Sequence, residues 1–278
     1  PPDADRAIAT LSEALLEPAF KPATFALERD AQLASLQQDA DDVVTFARKL
    51  VRKKFFGPHA LALDDHGDEA GVKALTPADL ASLLGQLRVG SNVVLAVAGD
   101  FNAAKLVPKL KSFLAKIPRG EVARVAERRH VLPANAGDFS ETQKREQAVV
   151  LQAFPGPQVH GADFYIGEVA DEIFSGMASR LFERVREEKG LAYFVRSSRV
   201  TGLDAGMFYF YAGTQPGKEG DVLAEIDAEI TRVQLGGVEL AELARCHARL
   251  KAGRRQALQT NSARAMQAGL NEIGRAHV

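Results

Sequence analysis

Residues 181–196 read LFERVREEKGLAYFVR, a charged helical run that passes through one glycine into an apolar stretch with a single tyrosine. Gly190 is a helix stop, because glycine enters the left-handed conformation without the clash a Cβ would cause. The run 191–199 then has the length and apolar content of a strand. The spacing predicts a helix-to-strand corner. Arg186 lies about one turn before it and Tyr193 lies beyond it on a strand that can run back, so the two side chains can converge on one spot. From the corner alone, the other reading is that Arg186 decorates a helix end and Tyr193 packs with Leu191 and Val195.

Around this corner the pattern alternates strands and helices. Gln147 to Phe154 reads as a strand, 162–174 and 177–189 as helices, 206–213 as another strand, 218–233 as a helix, and a long helix starts near Glu239. The first part of the chain is mostly helical, with apolar spacing that predicts helices over 5–16, 23–37 and 42–56. Thr76-Pro77-Ala78-Asp79 is a helix start, with Thr as cap, Pro at the first helical position and Asp facing the exposed amides. Asn92 to Gly99 reads as a strand covered on both faces, and 103–116 as the helix after it. Residues 121–144 lose apolar periodicity and read as a linker between a first domain at 1–120 and a second at 145–278. The fold class expected is α/β (α+β), two domains each with a mixed, mainly antiparallel sheet packed with helices. The chain opens in a helix without preceding strands and closes without a strand after its last helix, as expected of a piece of a longer polypeptide.

Composition sets further bounds. With 35 basic and 36 acidic residues and a net charge of -1, the chain does not have the clustered cationic surface of a dedicated nucleic-acid binder. Basic spots such as Arg128-Arg129-His130 and Arg254-Arg255 read as solvated faces. No run reaches the roughly 18 apolar residues needed to cross a bilayer, so no membrane insertion is expected. The single cysteine, Cys246, excludes an internal disulfide and a multi-thiolate metal site.

Phe174-Ser175-Gly176-Met177-Ala178-Ser179-Arg180-Leu181-Phe182, followed by Val185 to Tyr193, resembles the second-domain signature of insulinase/pitrilysin-type zinc metallopeptidases. Asp204-Ala205-Gly206-Met207-Phe208 and Gly237 to Leu243 resemble the family's following strand and long helix. Phe55 to Leu61, Leu75 to Leu80 and Ser91 to Asp100 resemble landmarks of its first domain. The resemblance implies that Arg186 and Tyr193 form a substrate-binding pair that holds a peptide on the side opposite zinc.

The zinc motif of that family, H-x-x-E-H on a helix, is absent. The six histidines are His59, His66, His130, His160, His247 and His277, and none has a partner four residues away. In the helix resembling Phe25-Ala26-Leu27-Glu28-Arg29-Asp30, the resemblance places a zinc-ligating Glu seven residues beyond Glu28, and Ser35 stands there. A serine hydroxyl is a poor zinc ligand beside a carboxylate. The nearby carboxylates are Asp39, Asp41 and Asp42. His59 reads as a loop residue, Cys246-His247 as helical neighbours that point apart, and Asp64-Asp65-His66-Gly67-Asp68 as a loop without calcium-ligand spacing.

No catalytic residue, metal ligand or cofactor is therefore expected in this chain, with zinc only in a catalytic half. The reading is the inactive half of an insulinase-type peptidase, with a catalytic half or subunit of the same family and a peptide substrate as partners. Ser175-Gly176-Met177 either lines the substrate chamber or is a helix-to-helix turn. A structural or assembly subunit of the same fold, and a fragment of an active zinc peptidase, are the alternatives. The composition is that of a soluble protein; its compartment is not written in the residues, and analogy with bacterial relatives favours the periplasm over the cytoplasm.

Overall fold

The structure, a computed structural model, describes residues 3–121, 137–176 and 179–275. Helices α1 (Ala4–Leu16), α2 (Pro22–Asp41), α3 (Val43–Phe56), α4 (Glu69–Ala74), α5 (Pro77–Leu87) and α6 (Ala103–Leu114) make up the first part. Strand β1 (Ala148–Pro155), helix α7 (Phe164–Phe174), a π-helical turn (Phe182–Glu188), strands β2 (Phe194–Thr201) and β3 (Gly206–Thr214), and helices α8 (Glu219–Gly236), α9 (Leu240–Ala257) and α10 (Asn261–Arg275) follow. Most of the linker 121–144 lies outside the described residues.

The chain divides by contacts into two units, Pro1–Ala34 with Asp68–Ala126 and Gly253–Val278, and Ser35–Gly67 with Glu127–Ala252. Residues 35–67, counted with the first domain in the sequence reading, thus pack with the sheet formed by the second half.

In the second unit β3 is central, and β1 and β2 pair antiparallel to it on either side. Successive residues of β3 face opposite sides. Phe210 and Ala212 join Ile173, Phe174, Leu181, Val185, Val195, Val222 and Ile226 in one core. Met207, Tyr209 and Tyr211 join Phe56 in the other, with Val44, Val51 and Phe55 of α3 packed against them. An antiparallel strand covered on both faces needs apolar residues at consecutive positions, which explains the run Met207-Phe208-Tyr209-Phe210-Tyr211. At the β1 end two backbones meet closely. The Gly156 N–H donates to the Gly206 carbonyl at 2.9 Å, and a Cβ on Gly206 would lie 2.3 Å from the Pro157 carbonyl oxygen.

In the first unit, the Arg88 guanidinium closes the end of α1 by donating to the carbonyls of Leu15 and Leu16 at 2.8 and 2.6 Å. The start of α5 forms as its sequence predicts. The Thr76 N–H donates to the Asp79 carboxylate at 2.8 Å while the Thr76 hydroxyl accepts from the Asp79 N–H.

Three sequence expectations are corrected. The buried strand expected over 92–99 is extended backbone after a short 3-10 turn (Gly90–Asn92), with Val94 and Val97 43% and 42% exposed. A strand exists only through a ladder, and among the described residues no neighbour pairs with this segment. The long helix from Glu239 is two helices, α9 and α10, because the Thr260 hydroxyl accepts the Ala263 N–H at 3.1 Å and caps a new start. The helix expected over 177–189, where described, is π-helical across Phe182–Glu188.

Candidate functional site

The predicted corner forms. Gly190 takes φ +61°, the left-handed conformation that ends the turn. Leu191, the first residue past it, is fixed through both backbone groups. Its N–H donates to the Val185 carbonyl at 2.9 Å, and its carbonyl accepts the buried Thr214 hydroxyl at 2.6 Å. Two residues later the Tyr193 N–H donates to the Gly213 carbonyl at 2.8 Å and joins the chain to β3 just before β2 begins. The Phe194 ring occupies the space left by the absent Gly213 side chain, where a Cβ would come within 2.3 Å of it.

This register sets the faces of the residues that follow Tyr193. Phe194 packs with the α3-side core and Val195 with the opposite core. Val195 lies on the side that the π-helical turn covers with Leu181 and Val185, and Tyr193 stands in the bend just before the strand. Tyr193 is 54% exposed, and the Arg186 side chain 44%. The Arg186 guanidinium lies over the Phe182 ring, 4.8 Å from its centroid, and its Nε is 3.8 Å from the Glu187 carboxylate. The corner thus places Arg186 and Tyr193 on either side of Gly190, both partly exposed to solvent. π-helical turns recur at functional sites because the extra residue per turn re-aims side chains.

Around the corner the polar groups are tied down. Arg180 grips Glu242 of α9 through two hydrogen bonds of 2.8 and 2.5 Å. The Ser197 hydroxyl donates to the Asp171 carboxylate at 2.6 Å, and the Ser175 hydroxyl accepts the Ser197 N–H at 3.0 Å. Of the candidate chamber-lining stretch, Ser175 is engaged in this network, Gly176 has φ +103°, and Met177 lies outside the described residues.

Hydrogen bonding from Arg180 holds the Glu242 carboxyl below the usual carboxylate range, and Glu242 holds the Arg180 guanidinium above its own. A carboxyl depressed on folding adds stability that is complete above its unfolded value of about 4.3 and fades as pH falls through the folded value. Glu242→Gln is therefore expected to unfold more easily than the native chain at neutral pH, with a gap that narrows as pH drops below about 4. A gap constant across that range in urea melts at stepped pH would refute the pairing.

His59 is buried at 7% exposure, a position its sequence context as a loop residue did not indicate. Its Nδ1 accepts the Leu61 N–H at 3.1 Å, which leaves Nε2 to donate to Asp204, whose two carboxylate oxygens both lie at 3.1 Å. The partner is 145 positions away, so no local pattern announces it.

The carboxylates near Ser35 are engaged with other partners. Ser35 is half-buried and Glu28 exposed on α2. Asp39 is paired with Lys49 at 2.8 Å and His66 at 3.0 Å, Asp41 with Arg145 at 3.3 Å, and Asp42 caps α3 by accepting the Thr45 N–H at 2.7 Å. Asp64 of the acidic loop also binds Lys49, at 2.5 Å. Among the described residues no three His, Cys, Asp or Glu side chains gather as a metal site, and no helix is long and apolar enough to cross a membrane.

Residues 74–250 match the family model of the peptidase M16 inactive domain, and the chain belongs to that family. It is 30% identical over 254 residues to an uncharacterized zinc protease of Streptomyces coelicolor, covering 89% of this chain and 55% of that protein. It is 25% identical over 240 residues to the uncharacterized zinc protease YmxG of Bacillus subtilis, covering 86% and 57%. The chain thus spans little more than half the length of these relatives. The crystal structure of a peptidase M16 inactive domain from Pseudomonas fluorescens has the same fold, with a TM-score of 0.82 at 21% identity over 96% of this chain and 63% of that one.

Proposed function

We propose that this chain is the half of an insulinase-type peptidase that binds substrate without binding zinc, and that Arg186 and Tyr193 are its contacts to the peptide. A catalytic half, on the same polypeptide or on a partner subunit, supplies the zinc and its activated water. The observation that carries the reading is the corner itself. Leu191 is fastened at both backbone groups, and Arg186 and Tyr193, which carry hydrogen-bond donors, are partly exposed on either side of it. A guanidinium and a phenol in that arrangement can donate to peptide carbonyls, which accumulate negative charge as the scissile bond is attacked. A purely structural subunit has no need of two such donors left facing solvent.

The division of labour has a direct test. The purified chain is expected to carry no stoichiometric zinc after dialysis against the metal, because Ser35 replaces a carboxylate and the neighbouring aspartates are engaged. Mixed with or joined to a zinc-bearing half, it is expected to restore cleavage of an internally quenched, unstructured peptide that neither part cleaves alone. One tightly held zinc per chain by metal analysis, or full activity of the zinc half without this chain, would overturn the reading.

A further inference from the structure

We propose that Phe182 is the positioning residue for Arg186, fixing the guanidinium in place by its ring face while leaving all of the guanidinium N–H groups for substrate. The inference rests on the substrate-binding reading of the corner given above.

Four basic residues lie on the segment 180–189, and three are drawn onto acidic partners. Arg180 is held by Glu242 of α9 at 2.8 and 2.5 Å. Arg184 reaches the fully buried Glu229 of α8 at 3.8 Å and Glu188 at 3.0 Å. Lys189 pairs with Glu225 of α8. The Arg180 and Lys189 pairs anchor the turn against α9 and α8, and the buried Leu181 and Val185 fill the space beneath it. Arg186 differs from the other three. Its nearest carboxylate, on adjacent Glu187, is beyond hydrogen-bond distance at 3.8 Å, and its partner is the Phe182 ring at 4.8 Å.

The choice of partner has a chemical consequence. A carboxylate would hold Arg186 by consuming the donors along the edge of the guanidinium. An aromatic ring attracts the flat face through its quadrupole and leaves the edge free. The Phe182 backbone that carries the ring is held, since its N–H donates to the hydroxyl of the buried Ser179 at 3.2 Å. An aliphatic side chain of similar size would fill the same space without attracting the cation.

The test uses the chain assembled with its zinc-bearing half and an internally quenched, unstructured peptide. Phe182→Leu is expected to lower kcat/KM about fivefold, within the range a cation–π contact supplies, and Phe182→Tyr to retain the native value. In an Arg186→Ala background, Phe182→Leu is expected to have no further effect, because the ring acts only through the guanidinium. Equal losses for Leu and Tyr, or an undiminished loss in the Arg186→Ala background, would overturn the positioning role. In the chain alone, the Arg186 side-chain proton resonances are expected to lose their ring-current shift in Phe182→Leu. Unchanged shifts would overturn the contact whatever the kinetics show. An Arg186→Ala enzyme of native activity, with the ring-current shift present in native Arg186, would instead overturn the substrate-binding reading and leave the contact standing.

Discussion

Peptide turnover by the assembled peptidase is expected to fall about a hundredfold when Tyr193 is replaced by Phe, the loss typical for removing one donor to a developing oxyanion. The substitution is well isolated. Tyr193 is 54% exposed, its place in the sheet is held by its backbone N–H to Gly213, and the ring survives in Phe. Unfolding midpoint and association with the zinc half are therefore expected to stay at native values. If the hydroxyl acts on the transition state, kcat carries most of the loss, whereas a contact equally strong with bound substrate would raise KM alone. A native rate in correctly assembled Tyr193→Phe would return the residue to simple packing with its neighbours.

The second large effect concerns stability. Leu181→Ala is expected to cost about 3 kcal/mol, because Leu181 is 0% exposed and lies in the core beneath the π-helical turn with Val185 and Val195. The turn is drawn to α8 and α9 by ion pairs, so it cannot settle freely into the space that truncation opens, and a cavity remains. Leu181→Met keeps the volume and is expected to cost less than about 1.5 kcal/mol. Urea titration reads both numbers, and a loss below about 1 kcal/mol for the Ala variant would mean that the core closes around the deletion.

How much of this was legible in the sequence follows from the range over which each feature is determined. The corner was legible because its parts are local: a glycine in the left-handed region at 190, a charged helical run before it and an apolar strand after it. The start of α5 was legible for the same reason, as Thr76 and Asp79 satisfy one another within a turn. The π-helical phase was not, because buried residues four apart, Leu181 and Val185, suit an α-helix as well. The expected strand at 92–99 failed because β-branched residues describe a segment fit for a sheet and leave the ladder to its neighbours. His59 went unrecognised because burial and the Asp204 contact depend on chain brought from far along the sequence. At the candidate site, the positions of Arg186 and Tyr193 on either side of Gly190 were readable, while the fastening of the Leu191 carbonyl by Thr214 depended on where β3 comes to lie.

The packing of α3 on the sheet has a bearing on how the molecule is made. During synthesis α3 emerges well before any strand of the sheet it covers, and Phe56, at 1% exposure in the finished fold, packs in a core whose Met207, Tyr209 and Tyr211 leave the ribosome about 150 residues later. The unit cannot close its second core from either end alone, so its folding waits on contacts of long sequence separation, which are slow to form. A nascent chain in that interval presents an apolar helix face to the cell, and an early stop anywhere before β3 would leave that face permanently bare for chaperones and proteases to find.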